Sequence, residues 1–357
     1  MSFELVDIFP NASHGLANIG FLFGAGSSLK AGYPLMPELT VKVIEKLDRE
    51  EVEILDGLVY KSFNKHIDKA SGDPNIEIIS DLLETALFTV EKTNSQYTEM
   101  LNVRSSIREK IVEVLLSTSR PNLDDHIRFF MALNRLLSGR TENVWIFTPN
   151  YDLLFELAAS IAKVPLFNGF SGTSLRFFNI RNLSLTMGLV NGQRFSPLSQ
   201  PIFRLIKLHG SLDWWKDKTS IYSIQSPDQI SREFERVMVL PRRKKITDTL
   251  EAPFGEIFRF SEQIIGTQCK YLVSCGYSYG DDHINNTLLL PKLQQGKVRL
   301  TAFVKADTPN LESFKNHVPF SFGTENSLKR AGTLQSGGTE LWQFDKFVDL
   351  LCRYAGI

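Results

Sequence analysis

Residues Ile19 to Phe23 form a short apolar run that passes without a break into Gly24-Ala25-Gly26-Ser27-Ser28. A brief apolar run entering a glycine-rich turn reads as a buried strand followed by a phosphate loop. Gly24 and Gly26 permit a tight turn and let the backbone approach an anion with no Cβ in the way. A following helix would aim free N–H groups and its positive end at that anion, and Ser27 and Ser28 add hydroxyl donors. The same residues also suit a plain strand-to-helix turn. Leu29 stands where the third glycine of G-x-G-x-x-G would fall, and no second strand with a terminal acidic residue follows, which argues against ordinary hydride-transfer dehydrogenases.

Helical signals dominate from about Pro37 to Gly139. Ile76, Ile79, Leu82, Leu83, Ala86 and Val90 recur at helical spacing, as do Ile107, Ile111, Val114 and Leu115, and a third stretch runs from Leu123 to Leu137. Around 100 residues between two strands far exceeds an ordinary crossover, so 37–139 reads as a helical insertion. Strands are expected at Val144–Phe147, Ile202–Leu208, Val237–Leu240, Tyr271–Cys275 and Val298–Val304, the last clear one. Helices are expected over Leu153–Ala162, Ala252–Ile265, from Asp281 or Asp282 onward, and over Glu340–Tyr354. Residues 165–200 look irregular, with Asn191-Gly192 as a hairpin turn. The fold class is α/β: a Rossmann-like parallel sheet built from 18–36 and 140–310. To it are added the insertion, a small irregular subdomain at 163–200 and a C-terminal segment at 311–357, all in one catalytic domain over 1–357.

Composition narrows the partners. Forty basic residues balance forty acidic ones, so the bulk charge does not indicate direct nucleic-acid binding, while neutrality favours self-association. The basic cluster Arg242-Arg243-Lys244-Lys245 reads as a solvated loop or a local contact for phosphate, nucleic acid or an acidic partner. No apolar run spans a bilayer, and the N-terminal residues lack a signal-peptide pattern. Three cysteines, at 269, 275 and 352, form neither a disulfide framework nor a Cys-x-x-Cys zinc pair. A cytoplasmic protein without metal is the expectation.

Four polar or glycine clusters follow predicted strands: the loop at 24–28, Thr148-Pro149-Asn150-Tyr151-Asp152, Leu208-His209-Gly210-Ser211, and Gly276-Tyr277-Ser278-Tyr279-Gly280-Asp281-Asp282-His283-Ile284-Asn285. In open α/β sheets, ligands bind outside the carboxyl ends of the strands, so the four suggest one composite pocket. Asp152 and Asp281 would also serve as helix caps, His283 as a first-turn helix residue and His209 as a hydrogen-bonded surface residue.

Gly24-Ala25-Gly26-Ser27-Ser28-Leu29-Lys30-Ala31-Gly32-Tyr33-Pro34 resembles the sirtuin cofactor loop, Thr148–Asp152 resembles the sirtuin T-Q-N-x-D segment, and Leu208–Ser211 matches the sirtuin His-Gly, all in sirtuin order. The resemblance spans roughly residues 18–290. It implies NAD⁺ as the ligand, held by Gly24, Ala25, Gly26, Ser27 and Ser28. Asn150 would sit beside the nicotinamide ribose and help place the attacking group, Asp152 would orient the nicotinamide end or the neighbouring loop, and His209 would act as general base or as polar partner for the ribose hydroxyls or a water. Gly276 and Ser278 would contact ribose or phosphate and Asp281 a ribose hydroxyl, with His283 beside them.

Two departures matter. The zinc cysteines of deacylating sirtuins are missing, and Leu35-Met36-Pro37-Glu38 stands where many sirtuins have Asp-Phe-Arg. The segment from Gly276 to Asn285, and the tryptophans Trp214 and Trp215 after His-Gly-Ser, are instead similar to sirtuin-like NAD hydrolases of bacterial phage defence. That resemblance implies an NAD⁺ glycohydrolase yielding nicotinamide and ADP-ribose, depletion of NAD⁺ on infection, and control by homo-oligomerisation or a partner such as a HerA-type hexameric ATPase. A protein deacylase or ADP-ribosyltransferase, and a non-enzymatic NAD⁺- or ADP-ribose-binding subunit, are the alternatives.

Overall fold

The computed structural model describes residues 3–10, 16–225, 227, 230, 233–241, 252–330 and 333–357. The cluster Arg242-Arg243-Lys244-Lys245 lies outside them. The main sheet contains β1 (Ile19–Phe23), β2 (Asn143–Thr148), β3 (Leu166–Phe167), β4 (Ile202–Lys207), β5 (Tyr271–Cys275), β6 (Arg299–Phe303), β7 (Phe320–Gly323), β8 (Ser327–Arg330) and β9 (Thr333–Ser336). Their order is β9-β8-β7-β6-β5-β1-β2-β4-β3. Seven strands, β7 through β3, run parallel, and β8 and β9 add an antiparallel edge. The mixed α/β sheet is thus Rossmann-like, and the chain changes direction at β1, with β2 on one side and β5 on the other.

β1 and β4 are buried along their whole length, as expected for parallel strands covered on both faces. Alternation sorts their side chains. Phe21, Phe23, Val144, Ile146 and Leu205 face the helices Asp124–Leu136 and Phe344–Ala355. Leu22, Trp145, Phe147 and Ile206 face Phe254–Ile264 and the segment after Asp281. On the first face Phe21 meets Phe129 edge-on at 5.1 Å and Phe23 meets Phe344 at 5.2 Å; burying each such ring stabilises the fold by about 2–3 kcal/mol.

Four helices, Met36–Lys46, Arg49–Phe63, Ile76–Thr89 and Ser95–Leu116, build a separate apolar cluster. Local capping starts two of them: Asp48 and Glu51 form a reciprocal capping box, and Asn75 accepts the Ile78 amide. The cluster also includes Leu212, Met238 and Leu240, and Tyr151 packs against it. These helices therefore rest on the turn that carries Asn150.

Several expected elements differ. The glycine loop leads into one 3₁₀ turn, Ala25–Ser28, and the first long helix begins only at Met36. Val298–Val304 is not the last strand, because β7, β8 and β9 follow within the C-terminal segment. The region 165–200 is less irregular than its composition suggests. It supplies β3 to the main sheet and two strands, Phe170–Ser171 and Arg176–Phe178, to a five-stranded antiparallel sheet completed by Gly210–Lys216, Ile221–Ser223 and Glu235–Met238. Phe170–Ser171 and Arg176–Phe178 are only two and three residues long, and Phe177 pairs with the distant Tyr222, so local periodicity could not reveal them. Trp214 is buried there against Phe170 at 5.2 Å, while Trp215 stacks under Arg236 at 4.1 Å. The hairpin Gly188–Asn191 with Arg194–Pro197 is present, with Asn191 pairing Arg194 and Gly192 at φ +61° inside the turn.

Candidate active site

The carboxyl ends of β1, β2, β4 and β5 lie side by side. Leu22 pairs Phe147, Thr148 pairs Lys207 and Phe23 pairs Cys275, so the residues that follow each strand emerge at one level. Thr148 Oγ1 donates to the Phe23 carbonyl at 2.8 Å, and the Leu208 amide donates to the Thr148 carbonyl at 2.8 Å. These bonds carry the strand spacing into the loops.

The glycine loop and the loop after β5 interlock. A Cβ on Gly24 would lie 2.5 Å from the Gly276 carbonyl oxygen, and one on Gly26 2.7 Å from Gly276 Cα. Gly276 itself sits at φ +67°, and its own Cβ would lie 2.6 Å from the Ser27 nitrogen. The three glycines are therefore demanded by backbone-to-backbone packing as well as by any anion. The Gly26 amide donates to the Gly276 carbonyl at 3.0 Å, and Ala25 at the tip is exposed.

Asn150 reaches back into that loop. Its Nδ2 donates to the Gly24 carbonyl at 3.0 Å and to Ser28 Oγ at 3.0 Å, with Ser27 Oγ at 3.4 Å. Ser28 Oγ donates to Asp152 Oδ2 at 2.7 Å, and Asp152 Oδ1 accepts the Leu154 amide at 3.1 Å. Asp152 thus both forms an Asx turn onto the first amide of the helix Leu154–Ile161 and anchors the loop serine. Ser27 Oγ turns inward to the Gly24 carbonyl at 2.8 Å. Both hydroxyls expected to face phosphate are used within the protein.

His209 and Asp281 form the second polar centre. Their side chains are nearly buried, with Nε2 3.1 Å from Asp281 Oδ2, and the other Asp281 oxygen accepts the Ile284 amide at 3.0 Å. Tyr277 OH donates to Asn285 Oδ1 at 3.0 Å, and Asn285 Nδ2 donates to the Tyr279 carbonyl at 2.7 Å, bracing the loop. Ser278 is exposed and lies apart from these contacts, with its carbonyl accepting from Asn310 at 3.5 Å. His283 packs on the Phe258 ring at 4.3 Å and sits 3.3 Å from Thr287 Oγ1, a position within the helical layer.

Several groups around this face carried no functional weight in the sequence. Lys207, the last residue of β4, is buried and contacts the Asp152 turn. A second charge, after Arg204, in a short strand otherwise made of Ile, Phe and Leu was its signal, as was an acid within Leu154-Phe155-Glu156-Leu157 for Glu156. Burial raises the Glu156 carboxyl to about 7, with Lys207 opposing. Burial lowers His126 to about 4, and neither of its ring nitrogens has a hydrogen-bond partner among the described residues. Burial and the Asp152 charge raise the Tyr33 phenol to about 12. All three cysteines are free and buried, and burial pushes their thiols up, so none is an activated nucleophile.

Residues 144–317 match the family model of a SIR2-like domain. The SIR2-like segment covers just under half of the chain and contains Asn150, Asp152, His209, Gly276, Ser278, Asp281 and His283, whereas the glycine loop at 24–28 lies outside it. No curated protein matches the chain. No group of three or more His, Cys, Asp or Glu side chains able to hold a metal occurs among the described residues, and no helix among them is long and apolar enough to cross a membrane. An open cavity of about 860 Å³, lined by Phe3, Trp342, Lys346 and Arg353 among others, lies at the C-terminal segment and away from these strand ends.

Proposed function

We propose that this chain binds NAD⁺ across the β1, β2, β4 and β5 strand ends and hydrolyses its nicotinamide–ribose bond. The carrying observation is the convergence of the Asn150–Ser28–Asp152 network, the His209–Asp281 pair and two interlocked glycine loops at the point where strand order reverses, the place where open α/β sheets bind ligands. The match of 144–317 to a SIR2-like domain supports NAD⁺ as the ligand.

In the reaction, water attacks the ribose C1′ as the bond to the pyridinium nitrogen breaks. That nitrogen takes the bonding electrons, so nicotinamide leaves neutral and ADP-ribose forms. One proton passes from the water to His209 and then to solvent, a task suited to an imidazole. Asp281 stabilises the protonated ring. The Asn150 amide hydrogens are held by the glycine loop, which presents its amide oxygen to accept from the attacking water. Gly24, Ala25 and Gly26 bring the loop backbone to the pyrophosphate, and Gly276 and Asp281 form the ribose side, with Ser278 and His283 standing away from it.

The resemblance of the loop after β5 to defence NAD hydrolases is what supports a phage-defence role for this activity. There the enzyme depletes NAD⁺ as a cytoplasmic homo-oligomer, under control of a partner such as a HerA-type ATPase. The test is chromatography for nicotinamide and ADP-ribose after incubation with NAD⁺, with and without candidate partners. His209→Ala is expected to lower turnover by at least about a hundredfold. Equal, negligible turnover by wild type and variant under every condition sinks the proposal. A second reading, binding without turnover, draws on the burial of His209, 2% exposed, and on the inward-facing serines; tight NAD⁺ binding with no product would select it.

A further inference from the structure

We propose that Lys207 is the positioning residue that fixes Asn150 and His209 relative to each other. It ends β4, in register with Thr148, and its ammonium is buried. Nζ donates to the Asp152 carbonyl, to the Tyr151 carbonyl at 3.2 Å and to Ser211 Oγ at 2.8 Å, with Glu156 Oε1 3.4 Å away. An ammonium has three protons, and these three bonds engage all of them on the protein itself. Lys207 therefore acts through its neighbours and not on a ligand.

Those neighbours belong to both turns. The Tyr151 carbonyl, in the segment between Asn150 and Asp152, also accepts from Ser211 Oγ at 3.2 Å and from the Leu212 amide at 3.0 Å. Lys207 and Ser211 bracket His209 on either side of a reversal at Gly210, where φ is +86° and a Cβ would lie 2.5 Å from the Val237 carbonyl oxygen. One cation thus ties the turn holding Asn150 to the turn holding His209. Burying an ion pair such as Lys207 with Glu156 gains little stability over apolar residues of the same volume. What an apolar side chain cannot supply is three directed donors to two separate turns.

The activity readout rests on the NAD⁺-cleaving reading; the structural readout does not. Lys207→Met keeps the volume but strands Glu156, so it is paired with Lys207→Met/Glu156→Gln, which removes the whole charge pair. The double variant is expected to recover most of the thermal midpoint lost in the single one. Its kcat for nicotinamide release should stay down by about a hundredfold, as for a misplaced reacting group, with KM for NAD⁺ little changed. Hydrogen exchange should show the segments 148–154 and 207–212 opening together. A double variant with wild-type exchange in both segments overturns the proposal, and so does one that recovers turnover along with stability. If wild type itself cleaves no NAD⁺, the functional reading falls and the exchange result alone decides Lys207.

Discussion

Asp152 and Asp281 occupy equivalent turns and are used differently. Each follows a parallel strand of the same sheet, and each lends one oxygen to a helix amide, Leu154 for one and Ile284 for the other. The remaining oxygen of Asp152 accepts a serine hydroxyl, whereas that of Asp281 faces an imidazole. A carboxylate beside a neutral hydroxyl holds geometry; one beside a titratable ring also sets charge. Under the proposed reaction, Asp152 would shape the loop and Asp281 would tune His209 as proton acceptor.

Replacing each aspartate by asparagine keeps an oxygen for the helix amide and removes the charge, which sets the two turns against each other. Asp281→Asn is expected to lower nicotinamide release by about a hundredfold. Equal losses in Asp281→Asn and Asp152→Asn, measured as kcat/KM, would break the distinction.

The surroundings of Asp152 sharpen it further, because His126 and Glu156 both feel its charge and titrate in opposite senses. His126 stays neutral in the fold down to about 4, while the unfolded chain takes up that proton near the ordinary 6.5. The unfolded state then binds more protons, so stability falls as pH drops through this window, by about 2–3 kcal/mol. Glu156 keeps its proton in the fold up to about 7, against an ordinary 4.5. The folded state then binds more protons, and its contribution falls as pH rises through nearly the same window. Denaturant midpoints from pH 4 to 7 should therefore be nearly flat in wild type, fall with rising pH in His126→Leu, and rise in Glu156→Gln. Parallel slopes in the two variants would show that these groups do not titrate as described.

The smallest effect expected is that of Asp152→Asn on turnover, about threefold, the weight of one weakened hydrogen bond. Its thermal midpoint should stay close to wild type, since an asparagine oxygen accepts the Leu154 amide as the aspartate does. A large loss of kcat here would move Asp152 from shaping the loop to the chemistry itself.

Much of this was legible locally. The run Ile19–Phe23 ending in a glycine loop, the bounds of Tyr271–Cys275 and the helices around Ile76 and Ile107 follow from apolar patterning over a few residues. That the clusters after successive strands emerge at one end of the sheet follows likewise, because parallel strands present their carboxyl ends together. Other features depend on which strands become neighbours, and no local pattern encodes that. Only the β1–β5 adjacency shows that Gly24, Gly26 and Gly276 pack on one another, and only the β2–β4 adjacency brings Lys207 to the Asp152 turn. The strands after β6 were missed because they are four residues each and cannot be told apart from loop by periodicity. Sequence by itself determined the kinds of group available and the order in which strands deliver them. Tertiary structure decided which carboxylate meets the imidazole and which lysine binds the turns, because those choices depend on contacts between residues more than 50 positions apart.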